Sequence, residues 1–191
     1  RRRPATRPPG GGAWRAARRE GPGSLGLRRW EPGGHLPVRV LGWTVAWSAV
    51  QLAVIMPTLE HLTGTRQDLS DFAHLQGDVG QLVVLLVLSW TVAALGEEIV
   101  YRGYLPTRIT DVFGRRVAGT VVAVAASSAL FGLAHTEQGL VGVVVTALDA
   151  VFFSVLRIHY RTLWASVLAH GFNNTIGLVA FFVVGPLHGL W

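Results

Sequence analysis

The sequence predicts an all-α protein, a polytopic transmembrane helical bundle of about five spans behind a disordered basic N-terminal tail. Three observations carry this. Half of the 191 residues are hydrophobic and only 15% are charged, where a soluble domain carries about 25%. Apolar runs close to the roughly 20 residues of a membrane helix recur along the chain. Arginine is concentrated in alternate connecting segments.

The tail comes first. Residues 1–39 hold ten of the seventeen basic residues and only two acids, Glu20 and Glu31. From residue 40 onward seven arginines face nine acids, a net charge of −2. The pI of about 11.2 therefore describes a tail and not a basic body. Nucleic acid is not an expected partner, because the body offers neither a basic face nor a known motif. Pro, Gly and Arg dominate residues 1–37, which are expected to be disordered and to touch anionic headgroups, with residues 38–191 forming the membrane domain. No small-residue cleavage site follows the first apolar run, so the tail does not read as a secretory signal peptide. The chain starts at Arg1 and not Met, which leaves its N-terminal completeness open. There is no Cys, which excludes disulfides, thiolate metal sites and a Cys nucleophile.

The apolar runs are residues 38–57, 79–105, 117–135, 140–156 and 163–184. The 58–78 segment is acidic and the turn at 136–139 is short, whereas the tail, the 107–116 segment and the 157–161 segment are rich in Arg. Under the positive-inside rule the N-terminus lies in the cytoplasm and the C-terminus outside. The expected location is a bacterial plasma membrane, and the lipid bilayer is the first partner.

Several residues do not belong in lipid. Glu97, Glu98 and Arg102 lie in the second run, His135 closes the third, and His170, Asn173 and Asn174 lie inside the fifth. A charge at membrane depth costs at least about 2.5–3.5 kcal/mol on insertion scales, so such groups are functional candidates. Helical spacing groups them: Glu98 with Arg102, His170 with Asn174 and Phe131 with His135 are each i,i+4 and share a face. Glu97 lies about 100° around the helix from Glu98, so one glutamate can pair with Arg102 while its neighbour faces another space. Taken singly, each has a plain reading: a helix-end ion pair, an interfacial His, or interhelical hydrogen bonding. Asn173-Asn174-Thr175 reads as a chance sequon, and His35, His61, His74, His159 and His188 fall in predicted loops or tails.

Three segments carry motifs. GEEIVYRGYL at residues 96–105 contains EExxxR through Glu97, Glu98 and Arg102. FGLAH at 131–135 contains FxxxH through Phe131 and His135, and HGFNN at 170–174 contains HxxxN through His170 and Asn174. In this order, on successive apolar segments, they resemble the motifs of the CAAX-prenyl-protease-like (CPBP) intramembrane protease family. LGLRRW at 25–30 also resembles a short element before the first span in small bacterial members. The resemblance covers about residues 90–180 and implies a membrane-embedded endopeptidase acting on membrane-associated peptide or protein substrates.

Peptide hydrolysis needs a nucleophile, and no Ser or Cys is placed as a triad, so an activated water is the economical choice. Glu97 is the expected general base. The resemblance implies that His135 orients the water. His170 and Asn174 can donate to the developing oxyanion, while Glu98 and Arg102 hold the helix. A metal version would use Glu97, His135 and His170 around a divalent ion such as zinc. It is less favoured, because Asn is a poor zinc ligand and no HExxH is present. Two other functions compete: a catalytically silent scaffold or bacteriocin-immunity protein, and a proton-coupled transporter, which would call for inverted repeats and broken helices. One expectation conflicts with the shared site. Arginine topology places Glu97 near the cytoplasmic end of its span and His135 near the outer end of the next.

Overall fold

In a computed structural model of the chain, residues 34–185 are described. The tail expected over residues 1–37 falls almost wholly outside them, as do the 25–30 element and His188. Among the described residues five helices form a bundle and no strand occurs: α1 Leu36–Thr63, α2 Val79–Phe113, α3 Val117–Leu133, α4 Gly139–Tyr160 and α5 Leu163–Val184. Four of them, α1, α2, α4 and α5, are long and apolar enough to cross a membrane. The fifth, α3, is apolar but only 17 residues long. At about 1.5 Å per residue it spans less than a hydrocarbon core of about 30 Å. The protein is an integral membrane protein, and the many exposed Val and Leu side chains of α1, α2 and α4 are its lipid-facing surface.

Prolines explain where the helices differ from expectation. Run 38–57 was bounded at Pro57, yet α1 continues to Thr63 and closes on Gly64 at φ 65°, whose N–H bonds Glu60 O at 2.9 Å. Wide π-helical turns over Gln51–Ile55 precede Pro57. Proline lacks the N–H that would pair four residues back, and the looser i→i+5 pattern absorbs the mismatch. The same arrangement recurs in α2, where π-helical turns over Ile99–Tyr104 precede Pro106. Run 79–105 therefore continues through Pro106 to Phe113 and stops at Gly114, at φ 87°. The segment expected as a 107–116 loop is mostly helix, and the α2–α3 turn is only residues 114–116. Likewise α4 runs past residue 156 to Tyr160, so Arg157 and His159 are helical, and His61 belongs to α1.

This lengthening removes the conflict of depth. With α2 ending at Phe113, Glu97 lies in the middle of the helix and not near its end. The turn at 114–116 sends α3 back along the last turns of α2, which brings Phe131 beside Tyr101, ring centroids 5.1 Å apart. His135, just past the end of α3, therefore arrives at the level of Glu97.

Helix contacts combine close backbone approach with polar ties, as expected where lipid removes the hydrophobic drive for association. A Cβ on Gly132 of α3 would sit 2.5 Å from Val143 O and 2.8 Å from Ala147 Cβ of α4. Gly132→Ala is accordingly expected to cost about 1–3 kcal/mol by forcing α3 from α4, read as a lowered unfolding midpoint in detergent. A Cβ on Gly171 of α5 would meet the Trp90 ring of α2 at 2.5 Å. Trp90 Nε1 donates to Thr175 Oγ1 at 3.1 Å, fixing α2 against α5. The 64–78 connection covers one end of the bundle: Asp68 N–H bonds Gln138 O at 3.0 Å, Gln67 Nε2 donates to Gln138 Oε1 at 2.8 Å, and Phe72 meets Phe181 at 6.2 Å.

Candidate active site

The π-helical turns of Ser89–Glu97 and Ile99–Tyr104 flank Glu98, so the EExxxR segment is carried on the least regular part of α2. Such turns frequently mark functional positions. Glu98 is fully buried and Arg102 is 1% exposed, with Arg102 Nη1 2.8 Å from Glu98 Oε1. That approach is off the N–H direction, and neither Nη1 nor Nη2 has a hydrogen-bond partner among the described residues. The pair is therefore held by charge. The guanidinium also packs over two rings, with Cζ 4.3 Å from the Phe131 centroid and 5.3 Å from that of Phe153.

His170 connects the two glutamates. Its ring is buried, stacked on Phe153 at 5.0 Å and edge-on to Phe131 at 5.8 Å, which fixes its plane. Nδ1 lies 3.0 Å from Glu98 Oε1, and Nε2 lies 4.0 Å from Glu97 Oε2. A carboxylate only accepts, so Nδ1 carries the proton and donates to Glu98. The Glu97 side chain is 32% exposed. The contact at 4.0 Å is beyond direct hydrogen bonding.

His135 adopts φ −116° just beyond α3, and its Nδ1 lies 2.8 Å from Phe131 O. A carbonyl also only accepts, so Nδ1–H donates and Nε2 is the free ring nitrogen of the neutral form. Glu97, His135, His170 and Asn174 all line one cavity of about 500 Å³ bounded by all five helices. Leu85, Val92, Ile176 and Phe181 line it as well, so polar groups share the space with an apolar wall.

The cavity contains a carboxylate that the sequence reading missed. Asp149 of α4 is buried; Oδ1 accepts from Trp47 Nε1 at 2.6 Å and Gln51 Nε2 at 2.9 Å, and Oδ2 from Asn173 Nδ2 at 3.4 Å. Ser48 Oγ donates to Asn173 Oδ1 at 3.3 Å. The cluster ties α1, α4 and α5 together on the wall opposite α2. The signal was present, since an Asp inside an apolar run is costly by the rule that singled out Glu97. Its three donors are spread over α1 and α5, and no short motif announces them. Asp149→Ala is expected to cost about 1–3 kcal/mol for each donor stranded. Asp149→Asn should cost less, because its amide oxygen still accepts; unfolding midpoints of the two variants in detergent check the order.

Among the described residues no three His, Asp or Glu side chains are gathered as a metal-ligand set. His170 Nδ1 is committed to Glu98, and His135 Nδ1 to its own helix. Nε2 of each is left uncommitted, as in a ligating histidine whose other N–H is held by a carboxylate or carbonyl, so Glu97, His135 and His170 are the residues that would hold a divalent ion if one binds.

The model of the family described as type II CAAX prenyl endopeptidase Rce1-like matches residues 79–176, just over half of the chain. No curated protein matches, and no solved structure matches. The matched segment begins with α2 and ends one turn past the His170 face of α5, so it takes in every side chain of the cavity's Glu/His/Asn cluster. The chain belongs to the type II CAAX prenyl endopeptidase Rce1-like family.

Proposed function

We propose that the protein is a membrane-embedded endopeptidase that hydrolyses peptide bonds of membrane-associated substrates with a water activated by Glu97. The observation that supports this most is that Glu97, His135, His170 and Asn174 share one cavity while Glu98 is withdrawn to Arg102 and His170. Two adjacent carboxylates in different surroundings can take different roles.

In this reading Glu97 takes a proton from water as its oxygen attacks the scissile carbonyl carbon. The free Nε2 of His135 accepts the water's other hydrogen bond and aims it. His170 donates to the developing oxyanion when Nε2 carries a proton, and Glu98, which accepts from Nδ1, holds the ring in place for it. Asn174, one turn further along α5, supplies a neutral donor. Such donors, aimed in advance within a low-dielectric cavity, are worth more than in water. Collapse of the tetrahedral intermediate breaks the C–N bond, and Glu97 returns its proton to the leaving amine. The products are a carboxylate and an amine.

The test is cleavage of membrane-anchored fluorogenic peptides by the purified full chain, with and without chelator. Cleavage that persists in chelator and is lost in Glu97→Gln is the expected result. Loss in chelator with recovery on adding zinc would replace this mechanism with a metal-dependent one.

We also propose that the N-terminus is cytoplasmic, on the placement of Arg108, Arg115, Arg116, Arg157 and Arg161 at one end of the bundle. The chain has no Cys, so single cysteines report its sidedness cleanly. His74→Cys should react with an impermeant maleimide from outside intact cells, and Arg115→Cys only after permeabilisation. Labelling of both from the same side would refute this topology.

A further inference from the structure

Arg102 also lines a second cavity of about 140 Å³, which shares no lining residue with the first. It lies between the last turns of α2, the start of α3 and the end of α4. Its other charged wall is Arg157, in the last turn of α4. The hydroxyls around it are already engaged. Thr107, Thr110, Thr120 and Ser154 donate to Gly103 O, Thr107 O, Arg116 O and Ala150 O at 2.8, 3.0, 3.3 and 2.7 Å. The guanidinium groups are only partly engaged: Arg102 Nη1 is ion-paired with Glu98 Oε1 at 2.8 Å, while Arg102 Nη2 and Arg157 Nε are buried without a hydrogen-bond partner among the described residues. Among the described residues no acid lines this cavity. Glu98 is the one carboxylate among them ion-paired with Arg102, and its single charge faces two guanidinium groups.

Buried N–H donors of charged groups are costly to leave unmade. Two arginines lining one small volume suit an oxyanion with several oxygens. At roughly 30 Å³ per water, the space holds about five waters, comparable to the five heavy atoms of a phosphate group. The cavity also sits at the arginine-rich end of the bundle, the end that the positive-inside rule sets against anionic headgroups.

We propose that Arg102 and Arg157 form a binding site for a phosphate group, carried by an anionic phospholipid headgroup or present as free phosphate. The site does not depend on the protease reading, since the test measures binding alone. The full chain, delipidated in neutral detergent, is titrated with inorganic phosphate against chloride at equal ionic strength, and separately with phosphatidylglycerol against diacylglycerol, following the unfolding midpoint. A saturable rise is expected with at least one phosphate probe and with neither control. A rise with inorganic phosphate identifies the free anion, and a rise with phosphatidylglycerol alone identifies the headgroup. Arg157→Gln is expected to weaken the response by about tenfold or more, one charged hydrogen bond being lost. Thr120→Glu, which brings a carboxylate of its own into the cavity, is expected to abolish it in a folded protein. If Arg157→Gln does not fold, Thr120→Glu decides. No saturable response in the wild type, or an undiminished response in either folded variant, overturns the site.

Discussion

Glu97→Gln should lower the rate of peptide cleavage by about 10²–10⁴-fold, the usual contribution of a positioned general base. The change is nearly isosteric. The side chain is 32% exposed and makes no ion pair shorter than the 4.0 Å approach to His170, so the fold should tolerate the loss of its charge. The expected signature is a collapsed kcat with an unfolding midpoint close to wild type. Residual cleavage within a few fold of wild type would show that Glu97 is not the base. A large loss of stability would show that its carboxylate supports the bundle instead.

Glu98→Ala should have the opposite signature, a loss of about 3–5 kcal/mol in stability, the typical result of stranding one partner of a buried ion pair. Glu98 is fully buried against an Arg102 that is 1% exposed, and it also holds His170 Nδ1 at 3.0 Å. Its removal leaves the buried Arg102 charge packed against Phe131 and Phe153 without its ion-pair partner. Glu97→Ala, on a partly exposed side chain, should cost much less. Chemical unfolding in detergent compares the two, and equal or reversed losses would refute the division of roles. A double variant, Glu98→Ala with Arg102→Met, should recover much of the loss, because no uncompensated charge remains. It should not recover activity, since His170 would still lack the partner that sets its tautomer.

Helical class, membrane setting and the residues of the cluster are legible in the chain one residue at a time. Apolar run length and arginine placement report on lipid directly, because the bilayer penalises each misplaced charge one residue at a time. The i,i+4 relations of Glu98 with Arg102 and of His170 with Asn174 follow from helical period and needed no fold. Helix ends were less legible. The apolar runs end at Pro57 and just before Pro106, but both prolines lie inside helices, because π-helical turns before each accommodate the missing N–H. That local choice moved Glu97 to the middle of α2 and brought it level with His135.

Features that require several helices at once emerge from packing alone. Asp149 acquires its meaning from Trp47 and Gln51, about a hundred positions earlier in the chain, and from Asn173. His170 is shown to bridge two glutamates only when α5 is seated against α2 through Gly171 and Trp90. The second cavity forms where three helix ends meet, and neither Arg102 nor Arg157 signals it alone. Periodicity fixes which side chains share a helix face. Which faces meet depends on packing and on the pairing of buried polar groups, and these are set by residues far apart in the chain.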